Sequence, residues 1–209
     1  MNYIENIYVC MIAPLLLAAL ILRGEGRRVL VFFFAGMTVC LLSAYISAFA
    51  AGVVDLDAVT ASYEISPVTE EAMKFVPVLV YILLFRPDKK HVILSALMVS
   101  VGFATFENAC FIASNGTDQL LQLLIRGFAT GAMHVVCGML VSIGLYFLLD
   151  QIWLKIAGTF ALLCLVITIH AIFNMLVIQT GPVFWIGTSI PMVIVVVFLV
   201  FFRDRIDIS

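Results

Sequence analysis

Seven stretches of this 209-residue chain stay apolar for about the distance needed to cross a lipid bilayer. A helix rises about 1.5 Å per residue and the hydrocarbon core is about 30 Å thick, so about 20 residues suffice. The runs cover residues 4–22, 29–53, 67–85, 91–113, 121–149, 156–179 and 183–202. Ten-residue alternating strand patterns are absent, which argues against a membrane barrel. Composition agrees: 64% of the residues are hydrophobic and 11% are charged, whereas a soluble domain carries about 25% charge. The expected fold is all-α, a polytopic membrane bundle of about seven transmembrane helices in a single integral membrane domain over residues 1–209. A formal net charge of −2, with no cluster of Lys and Arg long enough to track phosphates, excludes a nucleic-acid partner and leaves the lipid bilayer as the first one.

The first run is preceded by Met1-Asn2-Tyr3 and opens Ile4-Glu5, with no basic residue and no small-x-small cleavage pattern after it. It therefore reads as a span and not as a secretory signal. Basic residues set the orientation. Arg23, Arg27, Arg28, Arg86, Lys89, Lys90, Lys155, Arg203 and Arg205 all fall on one side if the seven spans alternate, and these are nine of the 11 Lys and Arg residues. The opposite loops hold Asp55, Asp57, Glu64 and Asp118. The positive-inside rule then places the N-terminus outside and the C-terminus in the cytoplasm. Cys10, Cys40, Cys110, Cys137 and Cys164 occur singly within apolar runs, without paired spacing, and read as packing residues. Asn115-Gly116-Thr117 matches the short and common glycosylation sequon.

The two basic residues left over, Lys74 and Arg126, lie inside spans together with Glu70, Glu71, Glu107, His134 and His170. Five ionised groups facing lipid at mid-depth would cost roughly 13–17 kcal/mol, so they must face a protein interior or a water-filled cavity. Ser66-Pro67 reads as a helix start, with Ser66 as N-cap and Pro67 at the first helical position. Glu70 and Lys74 stand i, i+4 in the order that favours an ion pair, with Glu71 about 100° around the helix and facing elsewhere. Glu107 has no Lys or Arg within a turn and needs a partner from another helix or a proton. Gly127 and Gly131 form a G-x-x-x-G pair that predicts a close helix approach. His170 and Asn174 share a face one turn apart.

Depth joins these residues. Counted from the outer end of each span, Glu71 lies roughly 6 Å in, Glu107 about 9 Å, His170 about 14 Å and His134 about 18 Å. All four fall in the outer half although their helices enter from opposite sides, which predicts one polar site opening to the outside. Two chemistries fit, and both hydrolyse an amide. In one, His134, His170 and a glutamate such as Glu107 hold zinc while another glutamate acts as base. In the other, Glu71 or Glu70 activates water without a metal while histidine and Asn174 stabilise the oxyanion. A carrier with a proton relay or ion site is the competing class. Against it, the cluster lies off the midplane and no paired, interrupted helices recur in two matching halves.

The succession Glu70-Glu71-x-x-Lys74, Phe106-Glu107-Asn108, Arg126 with His134, and His170-x-x-x-Asn174, each on its own helix, resembles the PrsW family of intramembrane proteases. That family is distantly similar to the CAAX prenyl endopeptidase and bacteriocin-immunity superfamily. The resemblance covers about residues 64–178 and implies a membrane peptidase that cuts a single-span membrane protein, such as an anti-sigma factor, near its extracytoplasmic face. It implies a bacterial cytoplasmic membrane and site-1 cleavage. It makes Glu70, Glu71, Glu107, His134 and His170 catalytic, with Lys74, Asn108 and Arg126 in support. Phe111 stands where relatives tend to have Tyr.

Overall fold

The computed structural model describes residues 4–116, 120–148 and 152–201. Among these, every regular element is helical. Helix α1 spans Ile4–Ile21, α2 Gly24–Val54, α3 Ala58–Glu64, α4 Ser66–Phe85 and α5 Lys89–Asn115. Then come α6 at Leu120–Ile125, a π-helical turn at Arg126–Thr130, α7 at Gly131–Leu148, α8 at Ile152–Val177 and α9 at Pro182–Phe201. Six helical stretches are long and apolar enough to cross a membrane: α1, α2, α5, the α6–α7 stretch, α8 and α9. The remaining expected span is α4, which is 20 residues long but carries Glu70, Glu71 and Lys74. Glu71 and Lys74 are buried in the bundle, so α4 keeps these charges out of lipid by facing other helices.

The bundle is built around α5, which packs mainly against α2 and α7, with α4 and α8 closing the side that holds the charged residues. Helix α2 and α5 approach so closely that an added Cβ would lie 1.9 Å from the Phe33 carbonyl oxygen at Gly102, and 2.1 Å from the Val99 carbonyl oxygen at Gly36. These glycines, on two different helices, supply the close approach that Gly127 and Gly131 were expected to supply. A Cβ at Gly127 would meet nothing within 4 Å, and one at Gly131 only the Asn108 amide nitrogen at 3.9 Å. The G-x-x-x-G spacing assumes a regular helix, but Gly127 sits in the π turn, where one extra residue per turn shifts the faces.

A second expectation also changes. Ser66 is not an N-cap: it is already helical, makes no capping bond, and follows Ile65, itself in the right-handed helical region. Helix α3 runs into α4 through Ile65 alone. The Ile65 amide donates to Ala61 and the Thr69 amide to Ile65, so helical bonding continues across the junction. The cap lies one helix earlier, where Asp57 accepts from the Val59 and Thr60 amides and from the Thr60 hydroxyl. Those bonds, the Thr60 hydroxyl first, hold the Asp57 carboxyl below its ordinary range.

All five cysteines are free, with Cys40 and Cys137 buried and Cys10 and Cys164 exposed on helix faces. Arg23, Arg27 and Arg28 around the start of α2, Arg86 after α4, and Lys89 and Lys90 at the start of α5 lie at one end of the bundle, and α3 at the other. The sequon threonine Thr117, Asp118, Arg203 and Arg205 lie outside the described residues.

Candidate active site

The first turns of α4 project Glu70, Glu71 and Lys74, and the structure pairs them differently from the i, i+4 expectation. Lys74 Nζ donates to Glu71 Oε1 at 2.7 Å, an i, i+3 pair. Glu71 does not face elsewhere. It and Lys74 point together at α7 and α8, where the two histidines lie, and Glu70 approaches His170 from the side that lines the cavity beside α2. Helix α8 brings His170 so that its Nδ1 lies 2.7 Å from the same Glu71 oxygen, and α7 brings His134 so that its Nδ1 lies 2.7 Å from Lys74 Nζ. The two imidazoles meet edge to face, with centroids 5.1 Å apart. Phe103 of α5 closes the group, its ring centroid 4.2 Å from Lys74 Nζ.

Glu107 of α5 completes the network from the other side. One carboxylate oxygen accepts from Arg126 and the other contacts His134 Nε2. The π turn presents Arg126 here, and its guanidinium also reaches the Thr130 hydroxyl and lies 5.0 Å over the Phe111 ring. The aromatic ring at position 111 therefore carries a guanidinium, a contact that needs no hydroxyl. Glu107 thus finds the cross-helix partner that its isolation in sequence demanded.

Donor counting fixes the hydrogen-bond sense. A lysine ammonium can only donate, so His134 Nδ1 accepts from Lys74 and the ring proton resides on Nε2, which donates to Glu107. The Glu71 carboxylate accepts from His170 Nδ1–H, leaving the Nε2 lone pair of His170 free on the side of Glu70, 3.7 Å from Glu70 Oε2. Burial separates the adjacent glutamates. Glu71 is 1% exposed, its carboxylate held by Lys74 and His170. The Glu70 side chain is 15% exposed, lines a cavity and has a buried Oε2 without a hydrogen-bond partner.

That cavity, about 730 Å³, lies beside the C-terminal half of α2 at the end of the bundle that carries α3. Glu70 and Glu107 both line it. Asn174 does not join the histidines: its amide Nδ2 donates to the Ser62 carbonyl at 2.7 Å and ties α8 to α3. Asn108 lies near the π turn with its Oδ1 buried and unpartnered, as is Arg126 Nε. No sequence signal set Glu70 apart from Glu71, since the distinction depends on which helices flank each face of α4.

Ligand atoms of Glu70, His134 and His170 all lie within 4.8 Å of one another. Two imidazoles and a carboxylate are a known donor set for a catalytic metal with an open position. The orphaned Glu70 oxygen and the free Nε2 lone pair of His170 fit it, and so does the Glu71 carboxylate behind His170, since metal-bound histidines commonly donate their other N–H to a carboxylate. Glu107, expected among the ligands, lies outside this set and is held by Arg126 and His134.

Removing Lys74 tests the network. Lys74→Ala leaves the buried Glu71 charge without its closest cation and is expected to lower stability by about 3–5 kcal/mol. Unfolding in detergent reads the loss, and adding Glu71→Ala should restore part of it. An unchanged unfolding midpoint would contradict the pairing.

A family model described as PrsW family intramembrane metalloprotease matches residues 25–202, most of the chain. No curated protein and no solved structure matches it.

Proposed function

The chain belongs to the PrsW family of intramembrane proteases, and on that premise we propose that it cleaves a single-span membrane protein near the extracytoplasmic face of a bacterial cytoplasmic membrane. The observation that carries this reading is the meeting of Glu70 and Glu107 at a cavity in a membrane bundle, with the two histidines buried directly behind them, at the end away from the basic loops. Under the positive-inside rule that end is extracytoplasmic.

Glu70 and His170 would hold the metal, and His134 would complete the His2Glu set that fits zinc by exchanging its Nδ1 bond to Lys74 for the metal while its Nε2–H stays on Glu107. When bound, it supplies Lewis acidity, polarising the scissile carbonyl and acidifying water. The remaining chemistry belongs to the chain. Glu71 fixes the orientation of His170 by accepting its Nδ1 proton, and Lys74 holds Glu71 in place. Glu107, a cavity-lining carboxylate clamped by Arg126, takes a proton from the attacking water. The water oxygen bonds to the carbonyl carbon, the carbon–nitrogen bond breaks, and Glu107 returns the proton to the departing amine. Asn174, bonded to Ser62, secures α3 at the rim.

Purified protein in detergent is expected to cleave a single-span anti-sigma-factor-like substrate and to contain stoichiometric metal. A strong chelator should abolish both, and His170→Ala should lose the metal. Full activity with no metal bound would eliminate the metal reading and leave glutamate-activated water, with Glu70 as base. A chain that moves protons or ions across vesicles and cleaves nothing would instead be a carrier.

A further inference from the structure

The cavity is much larger than the hydrolytic centre needs. Its long wall is the outer part of α2, where Ala44, Ser47, Ala48, Ala51 and Gly52 present small side chains. Helix α2 is 31 residues long, about 16 Å more than the hydrocarbon thickness requires. Small residues on that wall leave the space open, and the space runs to Glu70, whose Oε2 is buried and unpartnered, and to Glu107.

We infer that this α2 wall is the substrate subsite, and that it takes a short, unwound stretch of the substrate's membrane segment rather than an intact helix. The inference rests on the protease reading above. Size is the first reason. A helix about 10 Å wide that rises about 1.5 Å per residue fills roughly 120 Å³ per residue, so a cavity of about 730 Å³ admits about six residues. A whole span needs about 20.

Hydrogen bonding is the second reason. Unwinding a helix frees backbone N–H groups, which cost several kcal/mol each if left unpaired in an apolar medium. Hydroxyls on the cavity wall are set to accept them. Ser62 donates to the Val59 carbonyl at 2.6 Å. Thr69 spends its proton on the Ser66 carbonyl at 3.0 Å, so Ser47 is the donor to Thr69. Ser47 and Ser62 have thus committed their protons and retain acceptor lone pairs. A lipid tail offers no N–H to meet them.

Ala48 is exposed on this wall, so enlarging it fills the cavity without disturbing the core. For the full chain in detergent, Ala48→Phe is expected to lower kcat/KM for the single-span substrate at least about tenfold, mainly through KM. Its thermal midpoint and metal content should match the unmodified chain, and Ile194→Phe on the exposed face of α9, away from this cavity, should cleave normally. A benzophenone side chain at position 48, in a chain inactivated by Glu70→Gln, should crosslink to that substrate, and one at Ile194 on α9 should not. Cleavage by Ala48→Phe at the unmodified rate would overturn the subsite while leaving the protease reading intact. So would crosslinking from position 48 only to lipid or to a second copy of the chain. If the unmodified chain cleaves no single-span protein, the protease reading fails and the subsite fails with it.

Discussion

Glu70→Gln is expected to reduce cleavage by more than about 10²-fold, because it removes the charged member of the proposed metal-holding set itself. Glu71→Gln should cost only about 10–100-fold, the usual effect of removing an outer partner of a metal-bound histidine. The two residues are neighbours of identical chemistry, so the contrast isolates environment. Glu71 is sealed between Lys74 and His170, whereas Glu70 lines the cavity and keeps a buried oxygen unpartnered. Initial rates on one membrane substrate, with metal content measured in parallel, provide the check. Glutamine keeps the volume and removes the charge, so a matching thermal midpoint shows that the fold survives. If Glu71→Gln abolished activity while Glu70→Gln retained it, the roles assigned here would be reversed.

Gly102→Val should prevent the bundle from assembling. A Cβ there would lie 1.9 Å from the Phe33 carbonyl oxygen, a backbone atom that cannot turn away. Overpacking commonly costs about 1–3 kcal/mol, and a backbone clash of this depth falls at or above the upper end. Gly36 faces the same contact from α2 and should respond alike. Gly127→Ala meets open space and should change stability by no more than about 1 kcal/mol. The measurement is the fraction of folded, monodisperse protein extracted, followed by thermal unfolding. Equal tolerance at positions 102 and 127 would refute the assignment of the α2–α5 contact as the tight one.

The site was legible in outline because charge in a membrane span is costly enough to need a reason. Counting depth along the runs brought Glu71, Glu107, His134 and His170 to one level, and the fold joins them through contacts of 2.7 Å between Glu71 and His170 and between Lys74 and His134. Counting could not reveal rotation about each helix. It paired Lys74 with Glu70, but Lys74 is bonded to Glu71. It placed Asn174 at the oxyanion, whereas that amide holds the Ser62 carbonyl. It made Ser66 a cap, although the chain enters α4 without leaving helical geometry.

What the sequence determined by itself was the class of molecule, the approximate spans and the short set of polar residues that lipid could not tolerate. These follow from one-dimensional quantities, apolar length and the insertion cost of charge. Only the tertiary structure decided which carboxylate is sealed and which faces the cavity, which glycines touch backbone, and that Arg126 reaches Glu107 from a π turn. Those outcomes depend on which neighbouring helix meets each face, because a rotation of about 100° per residue separates adjacent side chains. Adjacent glutamates with the same chemistry therefore acquire different roles only when α2, α7 and α8 close around α4.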